Sequence, residues 1–474
     1  MTSRRNLLGG IAGAIGSSWA RMVGAGAAPN IVFVLIDDVR FDDLGVSGPS
    51  WIKTPSVDRI AREGVLFENA FVTSPLCSPS RASFLTGQYA HVHGILDNEE
   101  RGPLSHQLVT FPSLLHDRGY ETGFIGKWHM GTDDTPRPGF DYWLSMKGLG
   151  AYINPEVNEN GKRSQIHGYL TEVLNDRAVR FLRKKRDKPF CLLLSHKAVN
   201  PDSSYNPDGS VDPNSQVFRP AERHKTLYTN GVSIPRRPNY LKAPVDKPAL
   251  QRRVEGVPPL SSDTGTEDEV IKNRLRMLAS ADDGVGEIFD TLKRSGKLDT
   301  TFFVFASDHG FFYGEHCLSN ERRLAYEESI HVPILIRYPR LIRPGKRESR
   351  FVLGIDLAPT ILELAGAPVP RWMHGRSLLP LFAANGHEWR KAFLIEYFSD
   401  RKMRRIDHMG YQAIRTERWK YIHYTELKAM DELYDLAADP YEMRNLVNDA
   451  GASQAREDLR VQLNSLLAES RSRR

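Results

Sequence analysis

Three features predict an α/β fold, a large mixed and mostly parallel sheet between helices, with a smaller C-terminal α+β domain. They are apolar runs rich in β-branched and aromatic residues, segments of helical period between them, and a change of pattern after about residue 371. The run Asn30 to Ile36 (NIVFVLI) is apolar on successive residues, as a strand buried on both faces requires, and stops at Asp37-Asp38. Phe190 to Leu194 repeats the form before Ser195-His196, Thr301 to Phe305 runs up to Asp308-His309, and Pro333 to Tyr338 is a further run. Between them, Tyr169 to Lys185 places Leu170, Val173, Leu174, Ala178, Phe181 and Leu182 on one helical face. A second helix is predicted from about Glu269 to Arg294, through Ile271, Leu275, Leu278, Val285, Ile288, Phe289 and Leu292, with Gly296 as its C-cap.

In an alternating sheet of this kind ligands bind beyond the carboxyl ends of the strands, where Asp37, Asp38, Asp308 and His309 fall. Pro201 to Ser262 is rich in Pro, Asn, Ser and Asp without periodicity, which predicts long surface loops. After Arg371 come short β-like runs, Phe393 to Phe398 and Gly410 to Tyr424, and then a charged helix. The expected organisation is a signal over 1–28, a large α/β domain over 29–370, and a smaller domain with a short antiparallel sheet and helix over 371–474.

With 474 residues, 40% hydrophobic and 26% charged, the composition is that of a folded protein and not of a disordered one. The formal charge is +6, three units of it from Arg4, Arg5 and Arg21, and no basic run is interleaved with aromatics, which excludes a nucleic-acid groove. Ser3-Arg4-Arg5-Asn6-Leu7-Leu8, a Gly/Ala-rich stretch and Ala25-Gly26-Ala27-Ala28-Pro29 predict a signal read by the twin-arginine export machinery and cleaved near Ala27 or Ala28. Its glycines, Ser17, Ser18 and Arg21 make it too polar and too short for a membrane span, and no later segment offers about 18 uninterrupted apolar residues. A periplasmic or secreted protein without stable membrane insertion is expected. Three cysteines, Cys77, Cys191 and Cys317, leave no disulfide framework, and Cys191 sits in an apolar run as an inert buried thiol.

Cys77 stands in Leu76-Cys77-Ser78-Pro79-Ser80-Arg81-Ala82-Ser83-Phe84-Leu85-Thr86-Gly87, a C-x-P-S-R core followed by A-S-x-L-T-G. This resembles the signature of type I, formylglycine-dependent sulfatases of the alkaline phosphatase superfamily, and matching elements extend from Asn30 to about Leu446. The resemblance implies an alkaline phosphatase-like sheet, hydrolysis of sulfate esters, and conversion of Cys77 to formylglycine during synthesis by a formylglycine-generating maturation enzyme. The aldehyde would hydrate to a geminal diol, one hydroxyl attacking sulfur and the other remaining to expel sulfate. Ser80 to Thr86 is expected to begin a helix whose N-terminus favours the anion.

The resemblance also implies that Asp37, Asp38, Asp308 and His309, with residue 77, hold one Ca2+, a hard cation suited to oxygen ligands and able to polarise a sulfate oxygen. Gly126-Lys127-Trp128-His129-Met130-Gly131 is similar to the family's G-K-W-H-x-G element, in which the lysine contacts sulfate and the histidine bonds the formylglycine hydroxyl. Lys127 and Arg81 would offer fixed positive charge to the transition state, and His129 would orient the diol or take its proton.

Two positions depart from the pattern. Asn200, in Ser195-His196-Lys197-Ala198-Val199-Asn200-Pro201, stands where relatives carry the leaving-group histidine, and an amide cannot act as a general acid. Arg322 stands where relatives carry lysine; it keeps the charge and can grip sulfate with two N–H groups, but it does not give up a proton. Three outcomes stay open, a slow enzyme, proton delivery by His196 or His316, or a preference for esters with better leaving groups, and Asn200, His316 and His93 are expected at the substrate. Gly87 to Gly94, Pro220 to Lys225 and Glu432 to Pro440 most resemble bacterial N-acetylglucosamine-6-sulfatase-like enzymes, implying a sulfated saccharide as substrate. Arg404, Arg405, His408 and Arg415 are either readers of that glycan or solvated side chains. Two alternatives stay open, a phosphomonoester or phosphonate hydrolase of the same superfamily and a non-catalytic sulfated-glycan-binding homologue.

Overall fold

A computed structural model describes residues 28–99, 101–204, 206, 211–212, 215–229, 231–383, 388–400 and 402–473. The expected export signal lies almost wholly outside the described residues.

Ten strands form the main sheet, in the order Lys346–Glu348, Val65–Phe67, Ile334–Arg337, Thr301–Ser307, Asn30–Ile36, Phe190–Ser195, Glu121–Gly126, Tyr142–Ser145, Glu156–Glu159 and Lys162–Gln165. The five strands from Thr301–Ser307 to Tyr142–Ser145 run parallel; antiparallel pairs continue the sheet on both sides, and the edge strand Lys346–Glu348 pairs parallel with Val65–Phe67. The fold class expected from the sequence is therefore the one observed. In the central strand Ile31, Phe33 and Leu35 enter one hydrophobic cluster, and Val32, Val34 and Ile36 enter another on the opposite face. That double burial explains the unbroken apolar run, and each such side chain contributes roughly 1.5–3 kcal/mol.

Helices cover both faces. Leu170–Arg183 and Asp268–Arg294 pack on the second cluster, and Cys77–Thr86 and Leu357–Leu364 on the first. The long helix ends as predicted, with Gly296 at φ 67° and Lys297 N–H bonded to Leu292 C=O at 2.8 Å. A second, antiparallel sheet of Ala392–Tyr397, Tyr411–Thr416, Trp419–Tyr424 and Glu432–Asp435 follows. One of its faces, with Phe393, Ile395 and Tyr411, joins the main core, while Leu394, Ile414, Tyr421 and Leu433 pack on the helix Ser453–Ser472 through Leu459, Leu463 and Leu467. Among the described residues no helix is long and apolar enough to cross a membrane.

Register positions the site. Ile36 pairs with Ser307, Leu35 with Ser195 and Gly126 with Ser195, so the segments that follow these strands emerge together at one edge. Lys127 leaves its strand through Gly126, whose φ is 119° and where an added Cβ would lie 1.9 Å from Ser195 C=O, so only glycine fits.

Candidate active site

All ten residues of the helix Cys77–Thr86 are buried, and Cys77 opens its first turn. Its Sγ lies 3.2 Å from His309 Nε2 and 3.7 Å from Asp37 Oδ1. One ligand-type atom from each of Asp37, Cys77, Asp308 and His309 falls within 4.8 Å of the others. Two carboxylates and an imidazole meeting at residue 77 fit a divalent cation, and an oxygen in place of sulfur at that position would make the set harder still. Asp38 turns partly away: its Oδ1 is 2.8 Å from Arg322 Nε and 3.1 Å from His309 Nδ1, and its Oδ2 accepts from Asn200 Nδ2 at 2.9 Å. Asp38 is thus paired with Arg322 and Asn200 in this structure, beside the other four expected donors. The pair geometry is still loose, because Asp38 Oδ1 and Arg322 Nε make no well-directed hydrogen bond.

Cations bind the carboxylates from behind. Arg81 Nε donates to Asp308 Oδ2 at 2.9 Å and Nη2 to Asp37 Oδ2 at 3.2 Å, while its Nη1 bonds Lys127 C=O at 2.9 Å and Ser195 Oγ at 2.5 Å. Lys127 Nζ donates to Asp37 Oδ2. Burial would raise the Asp37 carboxyl, but Lys127, Arg81 and His309 outweigh it and hold the group well below the usual carboxylate range. His309 is the converse: burial alone would depress it, yet Asp308, Cys77 and Asp38 lift it to about 9, which reflects the negative charge gathered here that a bound cation would offset. Burial, then Lys127 and Arg81, push His129 well below its ordinary value, leaving a neutral imidazole whose Nδ1 has no hydrogen-bond partner. Asp38 and His129 both adopt positive φ, 64° and 56°, a strained backbone found where side chains must be aimed.

A narrow cavity opens onto these groups, lined by Cys77, Asn98, His129, Asn200, Arg322, Arg323 and Lys402 among others. Arg81 and Lys127 are 1% and 0% exposed and in this structure pair with Asp37 and Asp308 behind the cavity, so their charge reaches the site through those carboxylates. Three histidines are likewise placed elsewhere. His196 is fully buried, its backbone tied to Leu35 C=O at 2.8 Å, and burial beside Arg81 lowers it to about 3. His316 lies against Tyr326 with ring centroids 4.8 Å apart and is lowered to about 3 by burial and Lys247. His93 is held by Ser83 Oγ at 3.0 Å inside the core. None of the three can deliver a proton to the cavity from such a position.

Sequence reasoning missed Arg323 and Lys402. Arg323 is clasped by Asp400, Nε to Oδ1 at 3.0 Å and Nη2 to Oδ2 at 3.1 Å, and Lys402 N–H donates to the same Asp400 at 3.3 Å. The doubled basic residue Arg322-Arg323 was a visible signal; the Asp400 loop was not. Of the four possible glycan readers, Arg405 pairs with Glu321 at 3.0 Å and Arg415 with Glu327 at 3.2 Å, Arg404 donates to Glu255 C=O at 3.1 Å, and His408 meets Glu426 at 3.0 Å. Cys191 is buried and its thiol is raised by burial alone, as an inert core residue should be.

Two family models match the chain, one described as Sulfatase over residues 29–367 and one as N-sulphoglucosamine sulphohydrolase, C-terminal, over residues 314–469. The chain is 31% identical to an N-acetylglucosamine-6-O-sulfatase of Bacteroides thetaiotaomicron, over 91% of this chain and 85% of the relative. It is 30% identical to an N-acetylglucosamine-6-sulfatase of Homo sapiens, over 93% of this chain and 84% of the relative. A solved structure described as a complex with its substrate D-glucosamine-2-N,6-O-disulfate matches with a TM-score of 0.80 and 29% identity, covering 94% of this chain and 98% of the other. With these matches covering nearly the whole length, the chain belongs to the sulfatase family and is a hydrolase of sulfuric esters.

Proposed function

We propose that the enzyme removes sulfate from a sulfated carbohydrate of the N-acetylglucosamine-6-sulfate type, with residue 77 as formylglycine and one calcium ion held by Asp37, Asp308, His309 and residue 77. The observation that carries this reading is the meeting of Cys77 with two carboxylates and an imidazole at the first turn of a buried helix. The sugar is argued from the similarity to relatives named for N-acetylglucosamine-6-sulfate and from the disulfated glucosamine substrate of the matching solved structure.

Hydrated formylglycine at residue 77 would supply one hydroxyl to attack sulfur and a second to expel the sulfate, and a bound calcium ion would polarise the ester. Around that chemistry the chain's own residues divide the labour. Arg81 and Lys127 keep Asp37 and Asp308 in place as donors. His129, neutral and open at Nδ1, is suited to take a proton from the nucleophile. Arg322 presents a guanidinium to the sulfate from the cavity wall, and Asn200 fixes the Asp38 carboxylate through its amide. Asn98 Oδ1 accepts from Ser78 N–H at 3.0 Å and steadies the first turn.

The same proposal includes a division into two domains near residue 370, export by the twin-arginine route to the periplasm or the exterior, and maturation of Cys77 by a formylglycine-generating enzyme. The test is sulfate release from a panel of sulfated sugars and phosphate monoesters, by calcium-loaded protein co-expressed with such an enzyme. Release from 6-sulfated N-acetylglucosamine that disappears in Cys77→Ala is the expected result. A protein with residue 77 confirmed as formylglycine by peptide mass, yet silent on every glucosamine sulfate, refutes the substrate class.

A further inference from the structure

We propose that Lys402 is the catalytic acid that protonates the leaving oxygen of the ester, an assignment that rests on the reading given above. The departures at Asn200 and Arg322 remove both side chains from which proton delivery was expected, and neither His196 nor His316 reaches the cavity. Poor leaving groups such as a sugar alkoxide need a proton as the S–O bond breaks, so the cavity must contain a donor. Its walls offer amides, a serine hydroxyl, two arginines, His129 and Lys402. Amides and a neutral hydroxyl are too weakly acidic, and arginine stays charged in proteins. His129 adjoins the nucleophile, its carbonyl bonded by the hydroxyl of Ser78, the residue after Cys77, and is committed to the attacking side. Lys402 remains.

Its backbone is fixed on two sides. Lys402 N–H donates to Asp400 Oδ1 at 3.3 Å, and Lys402 C=O accepts from Val211 N–H at 2.9 Å. Asp400 also clasps Arg323, the neighbour of Arg322, so one buried carboxylate sets the lysine and the arginine pair in common register around the cavity. The step balances simply. With residue 77 as hydrated formylglycine, the ester S–O bond would break as a hydroxyl oxygen of that residue bonds to sulfur and passes its proton to His129, the electron pair of the broken bond would go to the sugar oxygen, and that oxygen would take a proton from the Lys402 ammonium. The amine regains its proton from water.

The test compares wild type, Lys402→Ala and Lys402→Arg, each matured to formylglycine, on 6-sulfated N-acetylglucosamine and on 4-nitrophenyl sulfate, whose leaving group departs without protonation. Both variants are expected to lose about 100-fold or more in kcat/KM on the sugar ester and less than about 10-fold on the aryl ester. Methylammonium should restore part of the sugar activity of Lys402→Ala. Equal losses on both esters, or no loss on the sugar, overturn the assignment. Matured wild type that cleaves only the aryl ester refutes the sugar reading, and the acid with it, since such an enzyme would need no proton donor.

Discussion

Asp400→Ala tests whether the C-terminal sheet holds up one wall of the active site. Asp400 has no exposed side-chain surface and Arg323 has 3%, and three bonds of 3.0, 3.1 and 3.1 Å join them. Removing the carboxylate leaves a buried guanidinium without its counter-charge, a loss of about 3–5 kcal/mol. It also strips the acceptor from Lys402 N–H and from Tyr397 O–H, the latter at 3.5 Å. For a chain of 474 residues the unfolding entropy corresponds to about 1 kcal/mol per degree, so Tm should fall by about 3–5 °C. Differential scanning calorimetry on matured protein reads this directly. The double variant Arg323→Met, Asp400→Leu should regain most of the lost stability, because no charge is then left unpaired, while activity on a sugar sulfate stays low. A single variant as stable as wild type, or a double variant no better than the single, would show that the pair is not the buried tie described here.

Three further outcomes follow from the same geometry. Chelation by EGTA should lower Tm, and excess calcium should restore it; at one hundred times Kd the gain is about 2.7 kcal/mol, and an unchanged Tm would count against the cation site. Gly126→Ala should destabilise by about 3 kcal/mol or more, because its Cβ would collide with Ser195 C=O at a φ that side chains avoid; urea denaturation reads it. Asp282, which accepts from Ser56 and Val57 N–H at 3.0 and 2.8 Å, is raised by burial to about 6 despite those bonds. A raised carboxyl contributes stability fully below its unfolded value near 3.8 and loses it as pH climbs through about 6. Asp282→Asn should therefore match wild type near pH 4 and exceed it by about 2 kcal/mol at pH 7, as measured by Tm across that range.

The sheet was legible because its central strands are buried on both faces, so Ile31 to Ile36 and Phe302 to Phe305 are apolar at every step and lead into the residues that reach the site. The nucleophile helix was legible because its motif is continuous in sequence. What escaped was set by tertiary packing alone. Nothing local distinguishes Asp400 or Lys402 from solvated loop residues, and only the approach of the second sheet brings them to Arg323. A histidine near a motif looks available, yet in this structure His196 is fully buried beside Arg81 and His316 packs against Tyr326. Arg81 and Lys127 fall at the site as expected, and what the motif did not tell is that their structural partners are the neighbouring carboxylates.

The complete burial of the segment Cys77 to Thr86 imposes an order of events on biosynthesis. A maturation enzyme that must read Cys77, Pro79, Ser80 and Arg81 needs an extended, accessible strand of chain, and the native protein shows it none of these side chains. Under the proposed chemistry, modification and folding therefore compete for the same stretch of polypeptide. A molecule that folds first keeps its thiol for life, stable and correctly shaped but inert. The active fraction of a preparation would then report the outcome of that race, and slowing the folding of this segment should raise it.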